Sequence, residues 1–598
     1  MGVGVKTWGR KECLAFMTFV CVAFSGVQSV LGQTRSAVGP SMRSVDAASD
    51  RRSPGRTTNE RSAGSSRPAP PKEKTEPADG ERFIIRDYHV EGNNLLMPEQ
   101  IDAILAPFTG PKRGFNDIEA ARAALEQAYR RLGYPTIAVT VPEQTVEFGI
   151  ITLTVYEGRL KSIEVTDNWF YSDSHIRRKL PAVSVGALLH EPTVLKQLDL
   201  LNTNPDLKVM PILKPSDDPG LLNLELKTKD HVPVHGKVEL NNRGVPTTPR
   251  LRFNAALQYT NLFDADHTIT FQTSQTPQDW GAVQVYSGNY AIPLGTPDEQ
   301  LVFYGAVASS RARLDQSPLP VGSGLDIIGN SVIAGGRYFL PFGSDGIRHQ
   351  LAFGIDYKHL GRTETPIPGT SDTLTVSNPL TYTPASLGYT RVLQDSRGFT
   401  KVTASARGYV AGLVPQGGKE DFGGVVEDVD NTPGVRQGST GTFAVVQGGI
   451  DRYLTLPREF TFSAKADGQW ASEPLVPTEQ YFAGGMESVR GYREYEAVGD
   501  NAVHASVEVA TPPFTKLPLE HIERSLRFVA FYEMAYLWIK QPQPGQAATW
   551  NLQGTGAGFR FTLSDHVRFR YDAAWTLRPG PFSPAGSFYG HFSLEAVF

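Results

Sequence analysis

The residues of this chain that could perform chemistry are few, and their arrangement argues against catalysis. Both cysteines, Cys13 and Cys21, lie within the first 32 residues. A metal site that combines cysteine with any of the twelve histidines is therefore not expected in the rest of the chain. No G-x-S-x-G nucleophile elbow, P-loop or G-x-G-x-x-G fingerprint occurs. We therefore predict no catalytic residue, no metal site and no cofactor, and the chain is not expected to be an enzyme.

The charged segment SVRGYREYE, residues 488–496, is the exception that needs an explanation. It connects two stretches in which apolar and polar residues alternate. Glu494 and Glu496 are paired carboxylates, which in other proteins act as general acid and base. Two acids in a flexible loop are usually solvated, so we predict no hydrolase here. The residue of the connector that still needs an explanation is Arg490, which is followed by Gly491 and Tyr492.

The N-terminal 81 residues predict export rather than a folded domain. Lys6, Arg10 and Lys11 form a basic head, and the apolar run that follows is shorter than the roughly 20 residues a membrane helix needs. Residues 1–32 are thus predicted to be a signal peptide. Residues 33–81 are rich in Ser, Pro, Arg and Gly, which predicts a disordered tether. The formal charge of -4 gives no reason to expect nucleic acid as a partner.

Two tandem α/β modules are predicted next, over residues 82–158 and 159–230. In the first, Asn116 followed by Glu119 resembles a capping box and predicts the start of a helix. Each module also contains a strand in which apolar and polar residues alternate, as expected of a half-buried strand. The apolar residues of these strands are Ile151, Leu153 and Val155 in the first module and Leu222, Leu224 and Leu226 in the second.

Residues 231–598 alternate apolar and polar side chains with a period of two to the end of the chain. Near the C-terminus, Val567, Phe569 and Tyr571 oppose Arg568 and Arg570. Division at the turn signals gives about sixteen segments, joined by alternately short and long connectors, as in outer-membrane barrels. The predicted fold class is membrane all-β, an antiparallel transmembrane β-barrel of about sixteen strands. A soluble β-protein is disfavoured because charged residues recur so often on the polar face.

These features together resemble the two-partner secretion transporters, the haemolysin-secretion and haemagglutinin-secretion outer-membrane proteins of the POTRA-barrel superfamily. The motif VRGY at positions 489–492 carries the resemblance, with the module phrases VEGNNLL, RRLGYPTIAVTVPEQ, GIITLTVYEGRL and LDLLNTNPDLKV. The resemblance extends over residues 82–598. It implies that the two modules are POTRA domains in the periplasm and that the barrel lies in the outer membrane.

The family also implies a role for the arginine. In these transporters the VRGY loop folds back into the barrel, where its arginine meets an acidic residue of a wall motif F-x-D-x-G. The matching stretch here is FYEMA, so that Glu533 replaces Asp and Ala535 replaces Gly. We expect the pair to form with looser geometry and less room for the loop. The residues implied in this loop latch are Val489, Arg490, Gly491, Tyr492, Phe531, Glu533 and Ala535.

The function implied is translocation of a secreted, unfolded β-helical exoprotein through the barrel to the cell surface without nucleotide. The POTRA strands containing Ile151, Leu153, Val155, Leu222, Leu224 and Leu226 are candidates for binding this client, either by strand addition along an open edge or by a hydrophobic groove beside that edge. Outer-membrane lipid, periplasmic chaperones and the barrel-assembly machinery are further expected partners. Phe592, Leu594 and Phe598 resemble a C-terminal assembly signal. An insertase for other barrels, or a passive pore, is the alternative.

Overall fold

The computed structural model describes residues 82–145, 148–218, 220–296, 298–314, 325–343, 347–366, 373–423, 434–514, 524–543, 545–564 and 566–598. The described residues fall into two compact units, 82–233 and 234–598. The predicted signal peptide and tether lie outside the described residues. Within the ranges given above, no helix has the length and apolar character required to cross a bilayer.

The first unit consists of two small α/β modules. Its elements, in chain order, are β1 (Phe83–Ile85), β2 (Asp87–Glu91), α1 (Pro98–Leu105), β3 (Gly110–Arg113), α2 (Phe115–Arg131), β4 (Ala138–Thr140), β5 (Ile150–Tyr156), β6 (Arg159–Thr166), α3 (Asp173–Lys179), α4 (Glu191–Leu201), β7 (Leu207–Pro215) and β8 (Leu221–Asp230). Each module has one three-stranded sheet, ordered β2-β5-β4 in the first and β6-β8-β7 in the second. Helices and sheet bury a separate apolar core in each module.

Helix α2 begins earlier than its sequence predicted. Gly114 is the N-cap, and the Asp117 carboxylate accepts a hydrogen bond from the Gly114 backbone N–H at 2.8 Å. This hydrogen bond, supported by the guanidinium of Arg113, lowers the pKa of the Asp117 carboxyl. Asn116 and Glu119 therefore do not form the capping box, because Asp117 already occupies the third helical position. The helix buries Ile118, Ala121, Leu125 and Tyr129.

The strands predicted to bind a client are the central strands of the two sheets. β5 lies between β2 and β4, and β8 lies between β6 and β7, so neither has a free edge. As a site for strand addition, this prediction is wrong. The alternation of apolar and polar residues reports one buried face, and it does not distinguish a central strand from an edge strand. In the structure Ile151, Leu153, Val155, Leu224 and Leu226 are buried core residues, and Leu222 packs against the second core.

The second unit is a closed, 16-stranded antiparallel β-barrel with three short strands added to its wall and two in a loop. Its elements are β9 (Val234–Asn241), β10 (Arg252–Leu262), β11 (His267–Gln275), β12 (Val283–Pro293), β13 (Gln300–Leu314), β14 (Leu325–Phe342), β15 (Ile347–Leu360), β16 (Thr363–Pro366), β17 (Thr373–Ser377), β18 (Leu380–Tyr382), β19 (Ala385–Asp395), β20 (Gly398–Tyr409), α5 (Lys419–Gly423), β21 (Phe443–Thr455), β22 (Thr461–Ala471), β23 (Tyr481–Ala483), β24 (Ala497–Gly499), β25 (Asn501–Ala510), β26 (Arg524–Trp538), β27 (Thr549–Leu563), β28 (Val567–Thr576) and β29 (Phe588–Val597). The predicted fold class is confirmed.

The period-two pattern sets which face of each strand meets lipid. On β26, Tyr532 and Tyr536 are exposed, whereas Phe531, Glu533 and Ala535 between them are buried. Successive side chains of a strand point to opposite faces, so the exposed set faces outward and the buried set faces the interior of the barrel. The lengths of the connectors between strands alternate as well. A short connector, residues 263–266, joins β10 to β11, and a long one, residues 410–442, joins β20 to β21. The barrel thus has a short-turn end and a long-loop end.

The barrel closes between its first and last strands, where five residue pairs join β29 to β9. Phe598 continues this pairing by exchanging two backbone hydrogen bonds with Gly236, at 2.9 and 3.0 Å. A Cβ on Gly236 would overlap the Phe598 ring, so the glycine provides the space that the ring occupies. Leu594 and Phe598 are exposed on the same face of this strand pair, and Phe592 is half-buried. The terminal residue is therefore part of the closing seam.

Replacement of Gly236 by Ala should weaken this seam. The added methyl group would push the exposed Phe598 ring away from the strand pair, and we expect a cost of about 1 kcal/mol, the low end of the range for overpacking. The measurement is the urea midpoint of unfolding in phospholipid vesicles, followed by tryptophan fluorescence. Gly305→Ala is the matched control, because the nearest atom to a Cβ there is 3.7 Å away. Equal midpoints for the two variants would contradict the role of the ring.

Candidate functional site

The connector between β22 and β25, residues 472–500, turns into the interior of the barrel, and we call it the inward loop. β23 and β24 pair within it as a short hairpin. Its residues bond to inward-facing side chains of strands that are far apart in the barrel order: Lys358 on β15, Arg407 on β20, Glu533 on β26 and His591 on β29. A single segment can reach all of these side chains only from inside the cylinder.

Arg490 lies at the deep end of the inward loop and is nearly surrounded by carboxylates. Its Nη2 and Nε atoms donate to Glu533 Oε1 at 2.5 and 2.9 Å, and its backbone N–H donates to Glu533 Oε2 at 2.6 Å. Nη1 donates to Glu508 at 2.8 Å and lies 3.4 Å from Asp572. The guanidinium also stacks over the Phe531 ring, 3.3 Å from its centroid.

The ion pairs around Arg490 extend into a larger network on the barrel wall. Arg560 and Arg570 both bond to Asp572, at 2.7 and 2.8 Å. Arg570 also bonds to the inward loop, because its Nη1 donates to Glu487 at 2.8 Å. Because Asp572 and Arg490 are almost fully removed from water, each charge depends on its partners: an unpaired charge in such a place is strongly destabilising.

The three residues that flank Arg490 fit the loop to the wall. Val489 is buried in an apolar cluster with Ala535 and Leu552. Gly491 has φ of 99° and its N–H donates to His591 Nε2 at 3.1 Å, so the imidazole of His591 is unprotonated at that nitrogen. The buried Tyr492 hydroxyl donates to the Arg578 carbonyl at 2.6 Å. A side chain at position 491 would meet the β28 backbone, which explains the glycine.

Glu533 and Ala535 depart from the expected F-x-D-x-G motif, but the loosened geometry expected from the departure is absent. The longer Glu side chain brings both of its oxygens to Arg490, with all three hydrogen bonds between 2.5 and 2.9 Å. Ala535 is fully buried, and its methyl group contributes to the apolar cluster that receives Val489. The structure therefore brings together all the residues of the predicted latch.

Sequence reasoning missed a second attachment, at the neck of the inward loop. Glu479 is fully buried and accepts from Lys358 Nζ at 2.5 Å and from the Tyr382 hydroxyl at 2.7 Å. Its other oxygen lies 2.6 Å from Arg407 Nε. These partners lie on β15, β18 and β20, on a different part of the wall from the Arg490 site. The period-two pattern places Lys358 and Arg407 in the interior, but only the fold pairs them with Glu479.

Glu494 and Glu496, expected to be solvated, are buried because their loop is inside the barrel. Glu494 accepts from Arg243 Nε at 2.9 Å and from the Met486 backbone N–H at 3.1 Å. Glu496 accepts from the Phe582 backbone N–H at 2.8 Å. Both acids therefore hold the loop in place. Among the residues that the structure describes, no group of His, Cys, Asp or Glu is arranged to hold a metal ion.

Three family models match separate parts of the chain. A POTRA domain of the ShlB type matches residues 83–158, and the haemolysin secretion/activation protein family ShlB/FhaC/HecB matches residues 220–305. The Omp85 superfamily domain matches residues 423–589, which include the inward loop and the wall strands β25 to β28. The matches thus cover the first module, the start of the barrel and the candidate site.

Individual relatives agree with these families. The outer membrane transporter CdiB of Dickeya dadantii is 22% identical over 445 residues, which cover 71% of this chain and 72% of that protein. The solved structure of CdiB from Escherichia coli has a TM-score of 0.58 at 19% identity, with 100% of both chains covered. BamA from Haemophilus ducreyi, lacking POTRA domains 1–3, has a TM-score of 0.51 at 15% identity and covers 86% of this chain and 100% of its own. These solved structures share the fold.

Glu533→Gln should loosen the inward loop without unfolding the barrel. The substitution keeps the shape of the side chain but removes the charge that accepts three hydrogen bonds from Arg490, and hydrogen bonds to charged groups contribute about 1.5 to 3 kcal/mol. We expect a tenfold or greater rise in open-channel events in planar bilayers.

Glu595→Gln is the control for that measurement. Glu595 also points inward, but its partners, Lys237 at 2.6 Å and Arg568 at 3.3 Å, lie on wall strands and not on the inward loop. Its replacement should leave the open-channel frequency at the parent level. A comparable rise in both variants would mean that conductance reports general wall charge rather than the loop.

Proposed function

Because the chain belongs to the two-partner secretion transporters of the Omp85 superfamily, we propose that its POTRA modules bind a secreted exoprotein while it is unfolded and that the barrel conducts it to the surface. The family members are outer-membrane protein transporters with periplasmic POTRA domains, and they are not enzymes. The steps proposed here are client recognition by the modules, displacement of the inward loop, and passage without nucleotide.

The observation that carries this proposal is the buried Arg490 cluster in the interior of the barrel. A path for a polypeptide requires the inward loop to move. Besides the apolar cluster that receives Val489 and Tyr492, the loop is held at Arg490 by ion pairs and hydrogen bonds. Such contacts can be replaced by polar groups and by water entering with a client. The loop therefore acts as a closed gate whose opening is coupled to occupation of the barrel.

Directed movement in this proposal comes from the client. The sequence contains no P-loop with which to bind ATP. An extended chain that folds as it emerges cannot return through the barrel, so folding outside converts random movement into net export. The long-loop end of the barrel faces the cell exterior, as in other outer-membrane barrels.

Client capture is proposed at β2, an edge strand of the first module. β4, the other edge of that sheet, has three residues, and its Val139 carbonyl already accepts from Arg122. In the second module, β6 bonds to residues 186–187 through Leu160, and β7 contains two prolines that lack an N–H. β2 has five residues, and β5 covers one of its sides. An extended client segment can pair with the other side.

Arg490→Ala should greatly reduce secretion while the barrel still assembles. We expect at least a tenfold loss of the exoprotein from the culture medium, because the loop can no longer return to its closed position between carboxylates. The exoprotein is first identified by comparing the proteins secreted with and without this gene.

The companion variant Arg568→Ala removes an arginine that is largely exposed and pairs with Glu595. It should secrete at the parent level. Outer-membrane abundance, measured by immunoblot, must be similar in both strains. Normal secretion by the Arg490 variant would rule out the proposed gate.

A photo-crosslinking residue at His89 tests the capture site. The His89 side chain is 63% exposed on β2 and lies in the middle of the strand. We expect adducts with the exoprotein when its export is stalled. The same residue at Thr140, exposed on the β4 edge, is the control. Stronger adducts from Thr140 than from His89 would place client binding on the opposite edge.

A further inference from the structure

The connection between β6 and α3 in the second POTRA module presents two aromatic side chains to the solvent. Trp169 is 85% exposed and Phe170 is 45% exposed, whereas the next residue, Tyr171, is buried. Exposing a full indole to water is unfavourable, and a folded protein of this kind usually buries it. Neighbouring large exposed aromatics therefore indicate a surface that another phase or molecule covers.

A single carboxylate fixes this aromatic pair. Asp230 Oδ2 accepts hydrogen bonds from three consecutive backbone N–H groups, those of Trp169, Phe170 and Tyr171, at 2.9, 2.6 and 3.1 Å. Three N–H groups directed at one oxygen hold the backbone in one conformation. The indole is thus presented by a rigid loop, and its exposure is not the result of a mobile segment. The same bonds occupy the N–H groups that strand addition would need.

Three lysines lie on one face of the sheet, near the end that carries Asp230. Lys208 and Lys229 are direct cross-strand partners in β7 and β8, and Lys227 lies two positions before Lys229, so all three side chains emerge on one face. All three are exposed. Lys227 also lies 3.9 Å from Asp167, at the base of the aromatic loop. Positive charge and exposed aromatic rings therefore occur together.

The position of this feature in the chain restricts its partner. Asp230 is the last residue of β8, and Val234, four residues later, begins the first membrane-spanning strand. Four residues of extended chain reach about 14 Å at most. Asp230, which accepts the hydrogen bonds of the Trp169 loop, is thus separated by only four residues of chain from a strand that lies in the bilayer.

We propose that the patch formed by Trp169, Phe170, Lys208, Lys227 and Lys229 binds the periplasmic surface of the outer membrane through anionic phospholipid. Tryptophan is favoured at the membrane interface because its apolar ring and polar N–H suit the headgroup region. Lysines near a bilayer are attracted to anionic headgroups. Rigid presentation by Asp230 lowers the entropy lost on contact. This membrane contact goes beyond the transport function proposed above.

Fluorescence of the full chain in lipid vesicles tests the proposal. The chain is reconstituted into vesicles of phosphatidylethanolamine and phosphatidylglycerol, with or without brominated acyl chains. The emission of Trp169 is obtained as the difference between the parent and Trp169→Phe. We expect this emission to be blue-shifted and quenched about twofold by the brominated lipid, as for a tryptophan at the interface. Lys208→Gln, Lys227→Gln and Lys229→Gln together should reduce the quenching.

The matched control moves the indole to the first module, by combining Trp169→Phe with Phe115→Trp. Phe115 is 63% exposed but lies far from Asp230 in the chain, and emission from this position should stay unquenched.

Two results would overturn the proposal. One is a red-shifted, unquenched Trp169 signal in vesicles. The other is a Trp169 signal that changes only when an unfolded polypeptide, such as reduced and alkylated ribonuclease, is added, which would assign the patch to client binding. Secretion is not part of this readout, so neither result bears on the gate.

Discussion

The cost of placing an unpaired charge inside the barrel is the constraint on which the rest of the site depends. Arg490 is 3% exposed, and it is tolerated there because Glu533, Glu508 and Asp572 surround it. These carboxylates in turn require Arg490, Arg560 and Arg570. The loop and the wall are therefore stable together, and displacement of the loop leaves charges on both sides that must be solvated by water or by another chain. This is the property that suits a gate in the interior of a barrel.

Two of the attachments of the inward loop, at Glu479 and at Arg490, define its neck and its tip. Glu479 fixes the neck to Lys358 and Arg407, while Arg490 fixes the tip to a different group of strands. Loss of the tip contacts alone does not release the neck. The tip can then move while the neck keeps the loop next to its closed position. In the proposed gate, reclosure is expected to be faster than for a free segment of 29 residues, because the neck limits the volume that the tip explores.

Alternation along the chain was sufficient to predict the barrel, because lipid and water impose opposite requirements on the two faces of every strand. On β26 the alternation places Glu533 on the inward face and Tyr532 on the outward face, and in the structure Glu533 is buried and Tyr532 exposed. The alternation did not predict which POTRA strands lie at the edges of their sheets. Ile151 and Leu224 alternate with polar neighbours in the same way that residues of an edge strand do, since both kinds of strand bury one face. The order of strands in a sheet depends on contacts between residues distant in the chain, and these leave no local signal. The prediction for the start of α2 failed for a different reason: with Gly114 as the N-cap, Asp117 takes the third helical position that Glu119 was expected to fill.

The sequence by itself determined the membrane barrel, the two preceding modules and the identity of the arginine motif, because each of these leaves a periodic or local pattern. Only the tertiary structure decided that Glu494 and Glu496 are buried, that Glu479 holds the neck of the loop, and that Asp230 presents Trp169. Each of these depends on a charged group meeting partners that are tens or hundreds of residues away. The free energy of a charge is set by its surroundings in space, and the residue type alone does not specify them.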